Sequence, residues 1–153
     1  MISQNILKLI GDAMKAHDGV RVSTLRSLSS ELKNAKIDIY DPNATEQRDL
    51  TEAEEIAVIR REVKKRKEAI EMYEKANASS QAENEKAELE ILSEFLPPEV
   101  PKEEIEKLVS EAIKETNVID IKEMGKIIGA VKQRNPNVDG STLAQIVKEK
   151  LTQ

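Results

Sequence analysis

The 153-residue chain has no cysteine, one histidine, one phenylalanine and two tyrosines. Without cysteine there is no disulfide, no thiolate metal site and no cysteine nucleophile. A single histidine excludes a multi-histidine metal centre. Aromatic residues at 2% fit a sheet poorly, because strands favour aromatic and β-branched side chains. The five glycines form no phosphate-cradling loop of the kind a kinase step needs. No apolar run approaches the ~20 residues of a membrane span. The opening Met1-Ile2-Ser3-Gln4-Asn5 has neither the basic region nor the long apolar core of a signal peptide. These absences point to a cytoplasmic location and no membrane contact.

What is present is 39% hydrophobic and 35% charged. The apolar set is mostly Leu, Ile, Val and Ala, which suits long solvated helices with narrow apolar stripes and two small cores rather than one deep one. Net charge is −5, against the basic excess of proteins that coat nucleic acid. DNA is therefore not an expected partner, whereas a local basic stripe remains compatible with RNA.

Helical spacing of Ile6, Leu9, Ile10, Ala13 and Met14 predicts a helix from Ser3, as N-cap, to His17, broken by Asp18-Gly19. His17 reads as a cation at the helix C-terminus. A second helix over 20–36 carries Leu25, Leu28, Leu32 and Ala35, and the short link predicts a helical hairpin. Pro42-Asn43 and scattered polar residues make 37–50 a mobile loop. Thr51 and Glu54 form a capping box for a third helix to Ala76, with Leu50 placed to staple onto Glu55 or Ile56. Ser80 and Glu83 suggest another box, opening a fourth helix that reaches Leu96 and stops at Pro97-Pro98. The proline-rich stretch 96–101 divides an N-terminal helical domain (1–96) from a C-terminal one (97–153). In the latter, three short helices are expected: from Lys102 to Thr116; after Asp120 and Glu123; and from Asp139-Gly140-Ser141 with Leu143, Ile146, Val147 and Leu151. The expected fold is all-α, with about four helices in N-terminal hairpins followed by a three-helix bundle.

No catalytic constellation emerges. Ser29-Ser30 and Ser79-Ser80 lie on helix or turn sequence, without the Gly/Ser-rich surroundings of a Ser-Ser-Lys amidase. Glu83, Glu85, Glu88, Glu90 and Glu94, without histidine, read as a solvated acidic face. No catalytic residue, metal or cofactor is expected. Gly125 and Gly129 share one face of a helix, each at ~1 kcal/mol against Ala, so close approach of another helix, or alternatively of an RNA backbone, is expected there beside Lys126.

Charge is segregated. Residues 60–67 hold Arg60, Arg61, Lys64, Lys65, Arg66 and Lys67 against only Glu62, while 68–94 hold eight acids against Lys75 and Lys86. Arg60, Lys64 and Lys67 line one flank of the apolar stripe, and Arg26 and Lys33 share a face of the second helix. Such cations at phosphate spacing suit an RNA backbone; i, i+4 pairing to Glu68 and Glu71 is the alternative. Without an aromatic stacking platform, recognition by the shape of a folded RNA is expected rather than base reading. Arg66 falls on the apolar stripe between Val63 and Ile70 and needs a partner there, for which Glu62 and Glu88 are the candidates.

Several stretches resemble the GatB/YqeY family. They are Arg21-Val22-Ser23-Thr24-Leu25-Arg26-Ser27-Leu28 with Lys33-Asn34; 62–70 continuing to Tyr73-Glu74-Lys75-Ala76; 85–92 ending Phe95-Leu96-Pro97; Met124-Gly125-Lys126-Ile127-Ile128-Gly129-Ala130-Val131; and Asp139-Gly140 with Leu143, Val147 and Leu151. The resemblance spans nearly the whole chain. It implies the two-part helical architecture of the tail of GatB, the tRNA-binding subunit of glutamine-dependent aminoacyl-tRNA amidotransferase, without the catalytic cradle. The implied partners are tRNA or another folded RNA, or a protein of the aminoacyl-tRNA pathway. Arg21, Lys65, Gly125, Lys126, Gly129 and Lys132 join the cations above as binding candidates. A protein adaptor with no RNA role is the alternative. The family's carbon–nitrogen ligase label, with glutamine as amido donor, is read as inherited by association. Two departures stand out: the 37–50 loop is longer than usual, and Lys132-Gln133-Arg134-Asn135 stands where a Pro-Lys pair is usual.

Overall fold

The structure, a computed structural model, describes residues 1–152. It divides into two compact units, Met1–Leu96 and Pro97–Gln153, and is all-helical, with no strand among the described residues. The first unit holds α1 (Ile2–Lys15), α2 (Gly19–Asp38), α3 (Glu52–Lys75) and α4 (Ser79–Ser93); the second holds α5 (Lys102–Thr116), a 3-10 turn (Ile121–Glu123), α6 (Met124–Arg134) and α7 (Gly140–Leu151).

In the first unit α1 packs on α2 and α3 on α4, and α2 touches both members of the second pair. Their core is Ile6, Leu28, Leu32, Leu50, Val58, Ile59, Val63 and Leu92. Leu50, which precedes the α3 cap, is buried within this core. The buried residues of α3 end at Val63, so the last three turns of this helix meet no deep core. In the second unit α5, α6 and α7 each contact the other two, around Ile105, Val109, Ile127, Val131, Leu143 and Val147.

Turn chemistry explains the links. Asp18 caps α2 by accepting from the Arg21 backbone N–H at 2.9 Å, and Asp139 caps α7 by accepting from the Thr142 N–H at 2.8 Å. Helix α1 ends with His17 in the left-handed region at φ 57°. The His17 N–H donates to Met14 O and the Asp18 N–H to Ala13 O, the bonding pattern of a Schellman motif. His17 therefore closes the helix through its backbone. Asn77 does the same after α3: its N–H donates to Glu74 O and the Ala78 N–H to Tyr73 O.

Several expected boundaries move. Helix α2 continues two residues past Lys36, since no breaker precedes Pro42. Helix α4 stops at Ser93 rather than Leu96, because the residue before a proline is pushed out of the helical region. Ser80 makes no capping box: α4 starts a residue earlier, at Ser79, after Ala78, with no side-chain cap. Ser3 is not the N-cap of α1, which begins at Ile2. Glu55 of α3, only 1% exposed, supplies the missing acceptors instead. It takes the Ile2 N–H at 2.7 Å and the Ser3 N–H at 3.2 Å, and also the Ser3 hydroxyl. The loop after α2 is organised by its own side chains. Gln47 both accepts from and donates to the Asp41 backbone, Lys36 meets Asp49 at 2.5 Å, and Arg48 grips Glu54 through two 2.7 Å bonds.

Removing the Glu55 carboxylate leaves three donors at the start of α1 without it. Glu55→Ala is expected to destabilise the chain by roughly 2 kcal/mol, read as a lower midpoint in urea with α1 amide protection lost first. The capping box is present as anticipated, with the Thr51 hydroxyl accepting from Glu54 N–H and Glu54 accepting from Thr51 N–H. Arg48, and then Thr51, hold the Glu54 carboxyl down at about 2. A depressed carboxylate contributes stability that is present above the ordinary value of 4.5 and is lost as the pH falls toward about 2. Carbon-13 titration of the Glu54 carboxyl is expected to show a midpoint of about 2, moving up toward 4.5 in Arg48→Gln.

Candidate nucleic-acid interface

The basic run lies on the middle of α3. Ile59 and Val63 face the core, and the helical period carries the intervening cations outward: Arg61, Lys64, Lys65 and Lys67 are exposed and Arg60 is half-buried. The one acid of the run, Glu62, is 4% exposed. It accepts from Arg66 at 2.6 Å and from Lys65 at 2.5 Å. Arg66, with its side chain 14% exposed, also donates from Nε and Nη2 to Glu88 of α4 at 3.2 and 3.1 Å. The Arg66, Glu62 and Glu88 side chains are thus brought together as a bridge between α3 and α4. A second bridge, nearer the hairpin turn, joins Lys86 to Glu74 at 2.9 Å and to Glu83 at 3.2 Å, which raises the Lys86 pKa. Lys64 reaches Glu68 only at 3.9 Å. Arg61, outside the set of sequence candidates, is exposed on this surface; its place within the basic run, away from the buried stripe, is the available signal.

The α2 candidates each meet a different neighbour. Arg21 forms a two-pronged pair with Glu94 at 2.9 and 2.7 Å; the hydrogen bond raises the arginine pKa and lowers that of the carboxyl. Arg26 lies 3.8 Å from the Met14 sulfur. Lys33 lines a groove with Lys36, Ile37, Tyr40, Gln47 and Arg48. The sequence does not disclose this groove: a helix ending at Lys36 puts Ile37 in the loop, although Ile37 and Tyr40 continue the spacing of Lys33.

In the second unit, Gly125 and Gly129 are exposed. A Cβ built on either would meet nothing within 4 Å, so the close helix packing expected at these glycines is absent and their face is open. Lys126 pairs with Glu123 at 2.5 Å. Lys132 is half-buried and donates to the Val138 carbonyl, tying the end of α6 to the turn before α7. Among the described residues no three His, Asp or Glu side chains converge to hold a metal ion, and every buried side-chain nitrogen or oxygen has a partner.

The scaffold is all-helical, in two units with charged surfaces, and comparison with known proteins places it in a family. Residues 3–151 match the family model described as Yqey-like protein, and the chain belongs to that family. It is 33% identical over 92 residues to the "Uncharacterized protein C22F3.15" of Schizosaccharomyces pombe, covering 60% of this chain and 69% of that protein. It is also 33% identical over 113 residues to "Altered inheritance of mitochondria protein 41, mitochondrial" of Lachancea thermotolerans, covering 72% of this chain and 57% of the relative. Among the described residues no helix is long and apolar enough to cross a membrane.

Arg66→Met separates structure from binding. Removing the guanidinium leaves Glu88 and one oxygen of buried Glu62 without it, at roughly 2 kcal/mol. A lowered melting temperature with unchanged RNA affinity is expected; unchanged melting with lost affinity would make Arg66 a contact residue.

Proposed function

We propose that this chain is a non-catalytic binding module for a folded RNA, tRNA in the first instance, acting in the cytoplasm. The observation that carries the reading is the charge arrangement of residues 60–67: four cations are exposed on α3 while the only acid is buried and occupied by Arg66 and Lys65. Outward cations along one helix suit successive phosphates, whose neutralisation releases counterions. Family resemblance to the tRNA-binding tail of GatB supports tRNA over other RNAs. A rigid α-helical surface with no aromatic among residues 60–67 suits recognition of RNA shape.

A second reading, a protein–protein adaptor without an RNA role, draws on the open Gly125/Gly129 face, where another backbone can approach α6 closely. Glutamine-dependent amidotransfer stands last, since the sequence holds neither a Ser-Ser-Lys arrangement nor a nucleotide loop.

Filter binding of the purified chain to deacylated tRNA, aminoacylated tRNA and random duplex at several salt concentrations tests the proposal. Preference for tRNA with a steep salt dependence is expected. The Arg61→Gln/Lys64→Gln/Lys67→Gln variant is expected to weaken binding and reduce the salt slope by about one per lost contact. Affinity for tRNA no better than for duplex, with no salt dependence, would remove the RNA reading. Co-purification of a protein without RNA would favour the adaptor.

A further inference from the structure

The groove at the end of α2 has about 470 Å³, within the range of small-molecule sites. One wall is the last two turns of α2, with Lys33, Lys36 and Ile37, extended by Tyr40 just past the helix end; the other is Gln47 and Arg48 of the following loop. Its surface is hydrocarbon: the Ile37 side chain, the Tyr40 ring and the methylene stems of the cations. Ile37, in the last turn of α2, and Tyr40, just beyond its end, are 69% and 61% exposed, so two large apolar side chains face solvent side by side in one groove.

The polar groups of this groove are almost all engaged. The Gln47 amide is used on both sides by the Asp41 backbone. The Arg48 guanidinium holds Glu54, and the Lys36 ammonium holds Asp49. These side chains therefore bring their stems to the groove while Asp41, Asp49 and Glu54 hold their polar ends. Lys33 alone among the lining cations forms no ion pair within the described residues. The groove thus offers an apolar slot and one uncompensated positive charge at its rim.

From this we propose that the groove binds a small amphiphile with an apolar body and a single anionic group, of the class of medium-chain acyl carboxylates. The apolar body lies along Ile37 and Tyr40, and the carboxylate meets the Lys33 ammonium. Charge decides against a polyanion here. The adjoining loop carries Asp41, Glu46 and Asp49 against Arg48, so a run of phosphates would meet carboxylates beyond the first contact. This site is separate from the α3 cations, and it stands or falls independently of RNA binding.

The test is titration of the full chain, labelled at isoleucine methyl groups, with sodium octanoate, 1-octanol and adenosine monophosphate. Octanoate is expected to shift the Ile37 methyl saturably and to bind more tightly than octanol. Lys33→Gln is expected to weaken octanoate by about fivefold while leaving octanol unchanged. Tyr40→Ser is expected to abolish both, with circular dichroism melting unaltered because the side chain is exposed. An unmoved Ile37 methyl, equal binding of octanoate and octanol, or a stronger response to adenosine monophosphate would each overturn the proposal.

Discussion

Two carboxylates buried on α3, Glu55 and Glu62, sit two turns apart and organise the first unit around that helix. An unpaired charge at such sites is costly, so each is saturated by groups that must be held in place. Glu55 receives the first backbone donors of α1, in effect lending α1 the cap its own sequence lacks. Glu62 receives Arg66 and Lys65, and Arg66 in turn reaches Glu88 on α4. Specific polar contacts thus fix where α1 and α4 lie against α3, in a unit whose aliphatic side chains alone would tolerate sliding. The cations that remain outside this arrangement form the exposed surface of α3.

Much of the fold was legible because it rests on local rules. Apolar residues at helical spacing, Asp18-Gly19, the Thr51/Glu54 box and the paired prolines after Leu96 all act over a few residues, and each marked an element or its end. The Arg66 partners were legible for a similar reason: a cation within an apolar stripe needs a counter-charge, and few acids lay within reach. Less visible was anything decided across the fold. Ser3 looked like a cap because its type is right, but the acceptor comes from a residue 52 positions away. Gly125 and Gly129 looked like a packing face because their spacing is right, yet no neighbour approaches them. Lys132 looked like a surface cation, and the turn before α7 draws it back to the Val138 carbonyl.

The candidate site shows the same division. Helical geometry alone places the run at 60–67 on the outside of α3, but it does not say which cations are already engaged. Arg21 illustrates the difference: from sequence it is one more positive charge, whereas in the fold it clamps α2 to Glu94 beyond the end of α4. The groove beside Lys33 was hidden more completely, since it exists only where the loop folds back through the Gln47–Asp41 and Lys36–Asp49 contacts.

Helix α3 runs 24 residues, about 36 Å, yet its buried side chains end at Val63. From there to Lys75 it advances a further ~18 Å, accompanied by α4. This outer portion is a two-helix arm, closed at its tip by Asn77 and joined along its length by the Arg66 and Lys86 bridges and a thin apolar layer with Ala82 at its centre. With so thin an apolar layer, the bridges carry a larger share of the contact between the two helices than at the base, and added salt is expected to loosen the arm there first. The cations of α3 lie where the arm leaves the base, so whatever they hold would feel that bending as a change in leverage more than as a change in contacts.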